Sequence, residues 1–233
     1  MSEESQKVLG IRHLPIFPLP LVLMPFEILP LHIFEDRYKK MLEDIAVDKN
    51  MFGISLLEAD QEVADKPKAG STGCVAEIRE SHLLEDGRSN ILTTGVIRYR
   101  IERYIESPDP YLVAEVEFFE DEEETATDVE PLADEVFELF KRVAEAAHKI
   151  SGQQGDFPEI PKAEPEQLSF LVSAAFNLDN TIKYRMLEMR RTSERLSHLK
   201  DVLSKSVDQV EETAKINRVS RTNGHVNKKI DID

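Results

Sequence analysis

The residues best equipped for chemistry are Ser197 and Lys200, in the run Ser197-His198-Leu199-Lys200. A lysine stripped of water can take a serine's proton and make the hydroxyl a nucleophile. The pair lies in a stretch with amphipathic helical periodicity, with no glycine elbow and no oxyanion-hole candidate. Helix surface is therefore the better reading. His13, His32, His82, His148, His198 and His225 are scattered, with no two at i, i+3 or i, i+4. With Cys74 as the single cysteine, they form no zinc set of the usual spacing. Between Glu115 and Glu135 there are many acids and no Lys or Arg, but the regular Asp spacing and closing Glu of a calcium loop are missing. No Gly-x-x-x-x-Gly-Lys-Ser/Thr loop is present to cradle a nucleotide. The expectation is a protein with no catalytic residue, no cofactor and no metal.

The bulk numbers narrow the class further. The chain has 233 residues, 41% hydrophobic and 32% charged, the balance of a globular protein with a real core. Its formal charge of -16 opposes a phosphate-binding surface, which needs clustered Lys and Arg, so nucleic acid is not an expected partner. The basic residues Lys215, Arg218, Arg221, Lys228 and Lys229 read as a solvated terminal stretch. Cys74 by itself can form no internal disulfide and reads as a small buried hydrophobe. The polar start, Met1 to Lys7, is not a signal peptide. Leu14 to Phe34 is apolar enough to test as a membrane span, but Pro15, Pro18, Pro20, Pro25 and Pro30 interrupt it, and each breaks helical hydrogen bonding. A cytoplasmic protein without a membrane partner is expected.

Elements can be placed around these residues. His13 to Phe17 and Ile28 to Phe34 read as short strands, and Glu35 and Asp36 open a helix carrying Tyr38, Met41, Leu42 and Ile45 at i, i+3, i+4, i+7. Met51 to Leu57, Cys74 to Leu84, Ile91 to Ile105 and Tyr111 to Phe119 read as further strands, and Glu85-Asp86-Gly87-Arg88 as a hairpin turn. Past the acidic run the spacing is helical, through Leu132 to Ile150, Leu168 to Ala175, Ile182 to Met189, and Leu196 to Val210 behind Thr192 as an N-cap. Strands first and helices afterwards predict an α+β fold. The divisions expected are a β-rich part over 1–124, a helical bundle over 125–218 and a disordered tail over 219–233.

One segment fits a core poorly. Leu19, Leu21, Leu23, Met24 and Phe26 crowd into Pro18 to Phe26, where proline bars regular structure. Exposed contiguous apolar surface marks an interaction site, and methionine adapts to varied partners. These five are the candidate polypeptide-binding residues; the alternative is that they plug the open end of the β-core.

The ordered series of short motifs resembles the N-terminal substrate-recognition domain of the Lon family of ATP-dependent proteases, from Leu14 to about Val210. Leu14-Pro15-Ile16-Phe17-Pro18-Leu19 and Met24-Pro25-Phe26-Glu27-Ile28-Leu29-Pro30-Leu31 are similar to its opening strand, Phe-Pro loop and second strand. Phe34-Glu35-Asp36-Arg37-Tyr38 resembles its Phe-Glu-x-Arg-Tyr, and Gly73-Cys74-Val75-Ala76-Glu77-Ile78 its Gly-Thr-x-Ala-x-Ile. Asp86-Gly87-Arg88 and Gly95-Val96-Ile97-Arg98-Tyr99-Arg100-Ile101 look like its hairpin and returning strand, and Leu168-Ser169-Phe170-Leu171 through Leu178-Asp179 and Glu194-Arg195-Leu196 follow its helical order. The resemblance implies a PUA-like β-pseudobarrel followed by a helical bundle. It also implies recognition of damaged or unfolded protein, a part in oligomerisation that would extend to homo-oligomers, and a protease or chaperone as partner. The family's serine-presenting Pro-Ser-Ala-Gly segment is missing along with the phosphate loop, and the length leaves no room for either domain. The expectation is a stand-alone, non-catalytic substrate-binding module of the peptidase S16 type in protein quality control, adaptor or chaperone-like. Two other classes remain: an RNA-binding protein, because PUA-like folds elsewhere hold RNA, and a hydrolase built on Ser197.

Overall fold

The computed structural model describes residues 2–47, 49–57, 66–151, 157–176 and 178–223, with side chains through residue 207. Among the described residues six strands and six helices follow in chain order: α1 (Glu3–Lys7), β1 (His13–Leu19), β2 (Ile28–Ile33), α2 (Asp36–Ile45), β3 (Met51–Leu56), β4 (Thr72–Leu83), β5 (Ser89–Ile105), β6 (Leu112–Phe119), α3 (Ala126–Ser151), α4 (Pro165–Ala175), α5 (Asn180–Glu188) and α6 (Thr192–Asn223). The fold is α+β. Two compact units are present: residues 1–123 with 169–192, and residues 124–168 with 193–233. The end of α4 and all of α5 thus belong with the strands. Within the expected tail, α6 runs on to Asn223, and 224–233 lie outside the described residues.

In the first unit the sheet closes on itself. β1 pairs parallel with β3, and β3–β4, β4–β5, β5–β6 and β6–β1 are antiparallel. β5 makes this possible by its length. Its second half pairs with β6, while its first half, Ser89 to Thr94, pairs on the same side with β2. β2, β5 and the end of β4 form a three-stranded extension of the closed sheet.

β1 is longer than its prolines suggest. Pro15 is in register with Val113 of β6 only, and Pro18 with Ser55 of β3 only. Each proline sits where the strand has a single neighbour, so its missing N–H need cost no ladder bond. The hairpin forms as its sequence asks: Gly87 has φ 78°, the Leu84 N–H donates to the Arg88 carbonyl at 2.8 Å, and Asp86 accepts from the Arg88 N–H at 3.1 Å.

The interior is apolar and tightly shaped. Leu14, Ile16, Val75, Val96, Ile97, Ile101 and Ala114 pack around Tyr99, all buried. Glycine at 53 and 73 makes room for the tyrosine ring, since a Cβ at either place would come within about 2.5 Å of it. Its hydroxyl, fully buried, bonds Ser55 Oγ at 2.7 Å. Cys74 is buried in the same wall, where burial pushes its thiol well above the ordinary range.

Arg98 is the other large polar side chain in this interior, 1% exposed. It pairs with Asp121 at 2.5 Å, donates to the carbonyls of Leu187 (3.2 Å) and Met189 (2.5 Å), and lies over the rings of Phe119 and Phe170. Asp121 also accepts from the Thr192 hydroxyl. One cation thereby ties the 187–192 segment to β5. In the second unit the Ser193 N–H is met by the Glu124 carboxylate, at 2.9 Å.

Candidate polypeptide-binding site

The segment between β1 and β2 is a pinned turn. Phe26 adopts φ 66°, left-handed backbone that costs an L-residue energy unless its surroundings enforce it. The enforcement comes from β5: the Phe26 N–H donates to the Gly95 carbonyl at 2.8 Å, and the Gly95 N–H to the Glu27 carbonyl at 2.9 Å. Only glycine allows this approach, because a Cβ at residue 95 would stand 2.0 Å from the Met24 carbonyl oxygen. Glu27 folds back so that its carboxylate accepts the Met24 N–H at 2.8 Å. Lys183 of α5 lies 3.8 Å from the same carboxylate. Burial raises the Glu27 pKa, opposed by the Met24 bond and by Lys183.

The five candidate residues divide on this frame. Leu23 and Met24 are buried, at 1% and 0% exposure; they serve as core beneath the turn. Leu19, Leu21 and Phe26 are half-buried, with Leu19 already in β1 and the Phe26 ring 6.5 Å from that of Phe170. The loop is thus divided between two fully buried residues and three that keep part of their surface in solvent.

Further apolar side chains lie on the elements that hold it. Asn180 donates to the Pro20 carbonyl at 2.9 Å, so α5 is bonded to the loop at both Asn180 and Lys183. Ile182, between them, is 39% exposed, and Leu171 of α4 is 37% exposed. On β2, Ile28 is 64% exposed, and Phe34 just past the strand is also exposed. Sequence reading missed Ile28, Leu171 and Ile182, because each fits the periodicity of an ordinary strand or helix. The alternation of β2 gave the only signal, since Ile28 shares its face with Pro30 and His32.

The chemistry weighed for Ser197 takes other forms. Its exposed hydroxyl donates to the Ser193 carbonyl at 2.8 Å, and Lys200 is paired with Glu135. Among the described residues no three His, Cys, Asp or Glu side chains gather as metal ligands. No helix among them is long and apolar enough to cross a membrane.

Residues 13–205 match the model of the ATP-dependent protease La (LON) substrate-binding domain. The chain belongs to this family. It is 27% identical to the Lon protease of Syntrophomonas wolfei over 218 residues, covering 93% of this chain and 26% of that protein. With the Lon protease of Brevibacillus choshinensis it shares 28% identity, covering 95% of this chain and 28% of the other. The chain thus spans about a quarter of the length of the Lon proteases it matches. Two solved structures share the fold. The Lon N-terminal domain protein from Xanthomonas campestris has a TM-score of 0.60 at 21% identity, covering 81% of this chain and 97% of that one. The N-terminal domain of Mycobacterium avium complex Lon protease has 0.59 at 20%, covering 83% and 98%. These likenesses agree with the closed sheet followed by helices, and the matched family is the substrate-binding domain.

Proposed function

We propose that the first unit captures apolar segments of unfolded or damaged polypeptides, without catalysis, as an adaptor or chaperone-like module of cytoplasmic quality control. A protease or chaperone would receive the clients. The observation that carries the reading is the pinned turn, which holds half-buried Leu21 and Phe26 on a frame hydrogen-bonded to β5. A preorganised apolar surface loses little conformational entropy on binding, so more of its contact energy appears as affinity. Leu19, Leu21 and Phe26 are the contact residues of the loop, and Leu23 and Met24 shape it from beneath. Membership of a substrate-binding family points the same way. The charge of -16 speaks against RNA as the ligand.

The test uses fluorescently labelled lysozyme, reduced and carbamidomethylated so that it stays unfolded. Its binding is followed by anisotropy at physiological salt, with folded lysozyme as the competitor. The variant carries Leu21→Ser and Phe26→Asn together, asparagine being chosen because it tolerates the left-handed backbone at residue 26. Binding should drop at least about tenfold while the melting temperature moves by only a few degrees, as for surface changes. A folded variant that binds as the parent does would remove the turn from the site.

A further inference from the structure

We propose that β2 receives the client as an added β-strand, so that a backbone ladder along Ile28–Ile33 reads an extended polypeptide carrying alternating apolar and basic residues. This rests on the capture reading above and specifies how the client is held.

The argument begins with the ladder phase. The Gly95 N–H donates to the Glu27 carbonyl, so that carbonyl faces β5, while the Glu27 N–H turns back to the Met24 carbonyl at 3.2 Å. Backbone groups alternate along a strand, so residues 29, 31 and 33 also face β5, while 28, 30 and 32 turn theirs away. The Thr93 hydroxyl, reaching the Leu29 carbonyl at 2.8 Å, agrees with that phase. So does Pro30, whose missing N–H falls on the outer side. Among the described residues β2 has no strand partner other than β5. Its outer edge therefore offers the N–H and C=O of Ile28, the C=O of Pro30, and the N–H and C=O of His32. An extended chain is the ligand that matches alternating donors and acceptors at this spacing.

The side chains define the client further. Leu29 and Leu31 are half-buried at the rim of the inner face, and apolar residues on every second position of an added strand would complete their cover. On the other face Ile28 is 64% exposed, with Pro30 and His32 exposed beyond it. The edge begins where the pinned turn ends, so a strand seated on β2 continues onto Phe26 and Leu21. Charge selects between occupants. A second copy would bring together two chains of -16, whereas lysines or arginines in the client complement that charge.

The experiment uses the full chain and a synthetic peptide alternating leucine or valine with lysine, at physiological salt. Two N-methylated forms are compared, each blocked at every second residue, one for either edge of the peptide strand. Edge pairing predicts that one form loses at least about tenfold in affinity, several backbone hydrogen bonds being removed at once, while the other binds within about twofold of the parent peptide. It also predicts slowed hydrogen exchange at the Ile28 and His32 amides on peptide addition. His32→Pro should weaken the parent peptide several-fold with an unchanged melting temperature; if that variant does not fold, the methylated peptides and the amides still decide. Equal binding of both methylated forms would overturn edge pairing and leave capture by the apolar patch intact. Failure of both the parent peptide and unfolded lysozyme to bind would overturn both readings. A concentration-dependent dimer broken by His32→Pro would show that a second copy occupies the edge, and would likewise overturn the proposal.

Discussion

Gly95→Ala is the substitution for which the structure makes the sharpest demand. The added Cβ would stand 2.0 Å from the Met24 carbonyl oxygen, 2.9 Å from the Met24 carbonyl carbon and 3.2 Å from the Pro25 Cα, all main-chain atoms. No rotamer change can relieve that clash; the turn itself must lift. Lifting it breaks the two backbone bonds between Gly95 and residues 26 and 27, each contributing about 1 kcal/mol net. Leu23 and Met24, buried beneath the turn, then lose part of their contacts, and complete exposure of one such side chain costs roughly 1.5–3 kcal/mol. The expected loss is about 3–5 kcal/mol, read from urea unfolding at constant slope. Gly10→Ala is the control, since Gly10 also has positive φ but nothing within 4 Å of an added Cβ; it should cost about 1 kcal/mol from backbone strain. Folded Gly95→Ala should also bind unfolded lysozyme less well, because its apolar residues are no longer held together. If Gly95→Ala is as mild as Gly10→Ala, the turn is not seated on β5 as described and the preorganisation argument fails with it.

Arg98→Met removes the cation paired with Asp121 and should cost about 3–5 kcal/mol, whereas the double change with Asp121→Leu should cost clearly less than the two single changes added, since both halves of the pair are then gone; a thermal-melt double-mutant cycle measures the difference, and additive effects would refute the pairing. For Glu27 the folded pKa is raised, chiefly by burial, so its contribution to stability is greatest below its ordinary value and is lost as pH rises through the folded value. Glu27→Gln should therefore improve in melting temperature relative to the wild-type chain as pH climbs from about 4.5, and an opposite trend would show that the Lys183 and Met24 contacts outweigh desolvation.

Much of the fold was legible because its signals are local. The spacing of Tyr38, Met41 and Ile45 places α2, and Asp86-Gly87 places the β4–β5 hairpin. Thr192 shows where local reading stops. Its type and position suit the start of a helix, but that its hydroxyl donates to Asp121, far back in the sequence, is announced by no local pattern. The closing of the sheet is likewise non-local. It depends on β5 being long enough to serve β2 with one half and β6 with the other, and on Tyr99 finding glycine at 53 and 73. Nothing in the periodicity of any single strand encodes those meetings.

The candidate loop was legible as unusual and illegible as a shape. Proline density shows that Leu19 through Phe26 cannot form a helix, and apolar density shows that water alone cannot be its surroundings. Which of the five residues turn inward is decided by Gly95, nearly seventy positions further along, whose N–H and C=O seat the turn and drive Phe26 into the left-handed region. That residue would read by itself as a weak point in a strand. Its lack of a side chain is instead the condition for the turn's approach, and through the turn for the separation of buried Leu23 and Met24 from half-buried Leu21 and Phe26. The same bonds fix the phase of β2 and so determine which backbone groups face its outer edge. The apolar patch and the strand edge are thus two consequences of one contact, and the two should lose function together when Gly95 is changed and separately when only Leu21 or only His32 is changed.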